Sequence, residues 1–122
     1  RSQLETRRMP MSGIERPMSA DLPIKRMFCR ETAAGSVEDF HTAPRRQFIV
    51  LYSGLLEIEI SDGRRMTFRP GDVLFADDAT GDGHITRSIR DTRGFMHLVV
   101  PDDFDITEWP LGSPPAFVHP RR

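Results

Sequence analysis

Leu56, Ile58 and Ile60 alternate with Glu57 and Glu59, and the pair Asp62-Gly63 follows directly. Alternation at period two places every second side chain on one face of an extended strand. The stretch therefore reads as a half-buried strand running into a hairpin turn, whose residues tolerate positive φ. The same punctuation continues downstream. Arg65 to Phe68 returns from the hairpin, Pro70-Gly71-Asp72 turns the chain again, and Val73-Leu74-Phe75-Ala76 forms a short apolar strand. Beyond the polar stretch Asp77 to Gly83, strands are expected over His84 to Ile89 and Phe95 to Val100. Upstream, strands are expected over Ile24 to Glu31 and over Phe40 to Tyr52, the latter bent at Pro44 and ended by a turn at Ser53-Gly54. No amphipathic helix longer than two turns is visible. Short strands separated by Gly and Asp turns predict an all-β sandwich or barrel.

Composition sets the limits of that fold. The chain has 122 residues and a mass of 13.9 kDa, enough for one small domain. Hydrophobic residues make up a lean 38%, but Ile, Val, Leu and Phe concentrate between residues 48 and 100. Three regions follow: an N-terminal arm over 1–22, a β-barrel core over 23–101, and a Pro-rich tail over 102–122. The arm carries Pro10, Gly13 and Pro17 without sustained periodicity, and the tail has Ile106, Trp109, Leu111 and Phe117 as its anchors. A formal charge of -1 provides no general attraction to nucleic acid or to an anionic membrane. The single cysteine, Cys29, excludes an intramolecular disulfide and a multi-cysteine metal site, and it reads as a buried, inert thiol. No apolar run approaches the ~20 residues needed to span a bilayer, and no hydrophobic leader is visible. The expected location is the cytoplasm.

The run His41-Thr42-Ala43-Pro44-Arg45-Arg46-Gln47 followed by Phe48 to Gly54 resembles the first signature of the cupin family. That signature is H-x-H, three or four residues, E, six residues, G. Counted back from Gly54, Gln47 stands at the Glu position, Ala43 at the second His and His41 at the first. Arg69-Pro70-Gly71-Asp72-Val73-Leu74-Phe75 resembles the opening of the second signature, with Asp77 at the later Pro position, His84 two residues late, and Ser88 at the Asn position. The resemblance covers residues 40 to 90. It implies a jelly-roll β-barrel, a homodimer and a small molecule in the barrel. The strand Ile24 to Arg30, with Met27 and Phe28, would need a partner along its edge.

Alternation places residues 41, 43, 45, 47, 49 and 51 on one face. If His41 points into the barrel, as the resemblance implies, then Arg45, Gln47 and Ile49 do so too, and His84 and Thr86 join them from the second motif. A bulge at Pro44 would reverse the parity and replace Arg45 with Arg46. Apolar walls with a few convergent polar groups are the make-up of a small-molecule pocket. In it His41 and His84 are the candidate catalytic residues, and Arg45, Gln47 and Thr86 the candidate substrate-binding ones. The family's metal would fall to His41, Gln47 and His84. Two imidazoles and a neutral amide make a weak set without an anionic ligand, which only Asp77 or Asp78 could add. No cofactor is therefore expected, with a divalent transition metal as the alternative.

An inward Arg suits a carboxylate, enolate or phosphate, and a neighbouring His can move a proton near neutral pH. The expected function is binding of a small molecule, with acid–base chemistry of isomerase, lyase or cyclase type on an anionic or carbonyl-containing substrate. The alternatives are a metal-dependent dioxygenase with an unusual ligand set and a non-catalytic binding or sensing module. Asp77-Asp78 to Gly83 lacks the closing bidentate Glu of a calcium loop and reads as turn chemistry. His97 reads as a satisfied core or interface histidine, His119 as exposed, and Trp109 as an anchor for the tail.

Overall fold

The computed structural model describes residues 3–33, 35, 37–41, 46–60, 63–76, 84–111 and 117–121. Among these there are eight strands and no helix: β1 (Gln3–Arg7), β2 (Arg26–Thr32), β3 (Val37–His41), β4 (Gln47–Ile60), β5 (Arg65–Phe68), β6 (Val73–Ala76), β7 (His84–Val99) and β8 (Phe117–Arg121). They form one sheet in the order β1-β8-β6-β4-β7-β2, with β3 also pairing β7 and β5 also pairing β4. Every pairing is antiparallel except β6 with β8. The all-β expectation holds.

Strands β4 and β5 pair antiparallel, as the hairpin reading requires, with Gly63 at positive φ between them and Asp62 outside the described residues. Strand β6 spans the residues expected of it. Two expected breaks are absent. Ser53-Gly54 does not end a strand, because β4 runs through it from Gln47 to Ile60. The ladder with β7 instead shifts register between Leu51 and Leu56, and Gly54 supplies the positive φ, 84°, that such a bulge requires. Its partner β7 is likewise one strand from His84 to Val99, where two were expected.

Strand β4 separates two apolar cores. On one face Leu51, Leu56, Ile58, Phe68, Leu74 and Phe95 pack together, with Ile49 and Met66 against them. On the other, Phe48, Phe75, Val100 and Ile106 form a second cluster, joined by Leu22, Phe104 and Trp109. Apolar side chains on both faces explain why Val73 to Ala76 reads as a continuous apolar run rather than an alternating one.

The tail provides much of the second core. Ile106 is fully buried, and Phe48 lies 4.8 Å from Phe75 and 5.8 Å from Phe104 between ring centroids. Arg46 ties this segment down. Its Nε donates to the Phe104 carbonyl at 2.6 Å, its Nη2 lies 3.1 Å from Asp105 Oδ1, and its guanidinium stacks 5.5 Å from the Phe75 centroid. The two chain ends also meet, since β1 pairs along β8 and Arg7 Nη1 donates to the Trp109 carbonyl at 2.8 Å.

Cys29 departs from expectation, because it is exposed. Strand β2 lies at the end of the sheet order, and alternation turns only Phe28 and Thr32 partly under cover. No described helix is long and apolar enough to cross a membrane.

Candidate functional site

Register and alternation assemble the site. Gln47 pairs with Val99, Ile49 with His97 and Leu51 with Phe95, so these six side chains share one face. Strand β2 extends that face, with Phe28 opposite His97, Arg30 opposite Phe95 and Thr32 opposite Arg93. Gln47 and His97 are diagonal neighbours on it. Gln47 Oε1 lies 3.0 Å from His97 Nδ1, with both residues buried. With an amide oxygen as acceptor, the imidazole carries its proton on Nδ1 and donates it, which leaves Nε2 with the lone pair. Nε2 is also buried.

Aromatic rings hold the imidazole in place. Phe28 stacks on it with centroids 4.6 Å apart and planes within 4°, and Phe95 meets it edge-on at 6.0 Å. Guanidinium groups flank the rings. Arg26 lies 5.0 Å from the Phe28 centroid, and the fully buried Arg93 lies 5.2 Å from that of Phe95. The arrangement is a buried imidazole held in a fixed orientation between aromatic rings, with guanidinium groups beyond them.

The opposite surface is also charged. Arg87 Nη1 lies 2.8 Å from Glu59 and 3.1 Å from Glu57, and Arg65 lies 3.2 Å from Glu59. The Glu59 hydrogen bond and charge outweigh desolvation and raise the Arg87 pKa above its ordinary value. This accounts for the polar half of the Glu57/Glu59 alternation as a cross-strand charge network.

The expected site residues divide into groups. Gln47 faces the interior with Ile49 and Leu51, as alternation implies. His41 and His84 are placed by strand register, directly opposite each other on β3 and β7. Thr86 lies opposite Glu38 and Ile58. The ladder does not bring these three beside Gln47, because His84 pairs with Ile60 at one end of β4 and Gln47 pairs with Val99 at the other. Arg45 lies outside the described residues, as do Ala43, Pro44, Asp77 and Asp78. Arg46, its alternative under reversed parity, clamps the tail on the outer face.

His97, which reads from the sequence as a satisfied core or interface histidine, is buried and hydrogen-bonded to Gln47; its partner is what the sequence conceals. Its signal is limited to position, two residues from both Phe95 and Val99 on an alternating strand. The side chain at the motif's Glu position does not fit a metal ligand, because Gln47 is neutral and its oxygen faces His97 Nδ1. Among the described residues no three His, Cys, Asp or Glu groups converge as a metal site would need.

No protein-family model matches the chain, and no curated protein matches it. Solved structures do. The EutQ protein of Clostridium difficile aligns with TM-score 0.46 and 24% identity over 65% of this chain and 60% of that one. A variant of the QdtA 3,4-ketoisomerase from Thermoanaerobacterium thermosaccharolyticum, in complex with TDP, aligns with TM-score 0.49 and 12% identity over 89% and 86%. A cupin superfamily protein from Desulfitobacterium hafniense aligns with TM-score 0.44 and 12% identity over 77% and 99%. These are likenesses of overall shape, and the alignment with EutQ spans less than two thirds of that protein. The sheet itself defines the class as all-β: eight strands among the described residues, antiparallel in every pairing but one, with Gln47 to Gly54, Val73 to Ala76 and His84 to Ser88 on the neighbouring strands β4, β6 and β7.

Proposed function

We propose that this chain is a small-molecule-binding cupin that performs acid–base chemistry, of isomerase, lyase or cyclase type, on an anionic or carbonyl-containing substrate. The observation that carries this reading is the buried Gln47–His97 hydrogen bond at 3.0 Å on the interior face. Gln47 holds the ring and sets its tautomer, and His97 Nε2, buried at rest, removes a proton from the carbon beside a carbonyl once substrate displaces the side chains that cover it. The C–H electron pair moves into an enolate. Return of the proton to the same or a neighbouring atom completes exchange or isomerisation. His41 and His84, opposite each other at the far end of the β4–β7 ladder, are the second candidate pair for proton transfer. The same reading carries a cytoplasmic location and a homodimer through the exposed edge of β2, where Met27 is 52% exposed.

The test follows the carbon-bound protons of a panel of small ketoacids and hydroxyketones in D₂O by proton NMR. Wild-type protein treated with a chelator should exchange the protons beside the carbonyl of at least one compound. His97→Asn should slow this by about 10²-fold or more. Exchange that stops on chelation and returns with iron, nickel or manganese would favour the metal-dependent alternative. Saturable binding without exchange would favour a sensing module.

A further inference from the structure

A substrate meets His97 only by reaching Nε2, and that atom is buried. The described side chains around the imidazole differ in how firmly they are held. Gln47 is 4% exposed and faces Nδ1, and Phe95 is 4% exposed within the first core. Ile49, opposite His97 on β4, packs against the same core. Phe28, opposite His97 on β2, is the exception. It is half-buried and belongs to neither apolar core. Its strand stands at the end of the sheet order and pairs, among the described residues, with β7 alone. The Phe28 ring stacks on His97 at 4.6 Å with planes within 4°, and the exposed Arg26 guanidinium lies 5.0 Å from its centroid.

We infer that Phe28 is the movable cover of His97: its ring swings along β2 to admit substrate and closes again by stacking on the imidazole. The inference rests on the function proposed above and assigns the residue that controls entry to its site. A strand side chain has two common χ1 rotamers, and both lean along the strand. Exchange between them carries the ring off His97 and leaves the β2–β7 pairing in place. Lifting the ring from one face of the imidazole bares that face out to the atoms at its rim, Nε2 among them. A stacked ring pair and an exposed cation–π contact together favour the closed position roughly 5- to 70-fold. The imidazole is therefore covered most of the time, and side-chain rotation is fast enough to open it many times within a catalytic cycle. Substrate competes with the ring, so its apparent affinity falls by the ratio of closed to open chains.

Modification by diethyl pyrocarbonate reads the cover directly, because the reagent attacks the imidazole lone pair. Peptide mass mapping resolves His97 from His41, His84 and His119. Phe28→Ala should speed modification of His97 about fivefold or more. Arg26→Leu, at an exposed position outside both cores, should speed it about two- to fivefold, the worth of the cation–π contact alone. Lys25→Leu loses the same charge one residue before β2 and should leave the rate unchanged. Global unfolding would speed all four histidines alike, so the expected acceleration is confined to His97. Unchanged modification of His97 in either Phe28→Ala or Arg26→Leu, or equal acceleration in Lys25→Leu, would overturn the inference. In the proton-exchange assay Phe28→Ala should lower KM about fivefold or more, whereas His97→Asn lowers kcat. Faster modification of His97 with no exchange on any compound would leave the cover standing and overturn the proposed function. Exchange that depends on His97, with its modification indifferent to Phe28 and Arg26, would do the reverse.

Discussion

Gln47 accepts a hydrogen bond from His97 Nδ1 at 3.0 Å across the interior face shared by β4 and β7. Gln47 stands where the cupin signature has a ligating Glu, and here its oxygen faces an imidazole.

Both groups are buried, so loss of either leaves the other without its bond. Gln47→Leu should destabilise the chain by about 1–3 kcal/mol, the cost of an unsatisfied buried polar group. Urea denaturation checks this. A loss under ~0.5 kcal/mol, the scale of ordinary surface substitutions, would mean the bond does not form in solution.

On the outer face, the Tyr52 ring covers Gly94. A Cβ at position 94 would stand 2.5 Å from Tyr52 Cζ and 2.8 Å from its hydroxyl oxygen. Gly94→Ala should therefore cost stability, and Tyr52→Ala should relieve it. In a double-mutant cycle the combined loss should fall short of the sum of the single losses by about 0.5–1 kcal/mol or more. Strict additivity would remove the ring from that position.

The Arg46–Asp105 contact makes the tail sensitive to acid. Burial raises the Asp105 pKa, but the Thr107 hydroxyl, the Ile106 and Thr107 amides and Arg46 together outweigh it and hold the carboxylate below its ordinary 3.8. A pKa lowered by folding adds stability that is present above pH 3.8 and lost as pH falls through the folded value. The carboxylate is 44% exposed, so solvent limits the ion pair to about 0.2–1 kcal/mol. Trp109 packs beside Phe104 in this core and reports on it. Its fluorescence should shift on acidification below pH 3.8, and Asp105→Asn should remove that local step.

The ligand set bears on metal content. Iron, nickel, zinc and manganese in protein purified without added metal should fall well below one per chain and stay unchanged in His41→Ala and His84→Ala. Near-stoichiometric metal lost in both variants would restore the dioxygenase alternative.

What could be read from the sequence was local. Pro70-Gly71-Asp72 and the apolar run after it define β6, and alternation through Gln47, Ile49 and Leu51 sets their inward direction. Gly54 was legible as a glycine position, but whether positive φ ends a strand or bulges it depends on pairing with β7. The packing of Ile106 under Phe48 depends on contacts between segments far apart in the chain. So does the meeting of Gln47 with His97, 50 residues away, which follows from register alone. The exposure of Cys29 follows from the place of β2 at the end of the sheet, which composition does not reveal.

The most direct test of the account is the protonation of His97 itself, read from long-range proton–nitrogen correlation in ¹⁵N-labelled protein at pH above the imidazole's titration. The account predicts a single neutral tautomer with its proton on Nδ1 and its lone pair on Nε2, and a change in the Nδ1 shift on Gln47→Leu. A ring protonated on Nε2, or an Nδ1 signal indifferent to Gln47→Leu, would contradict it.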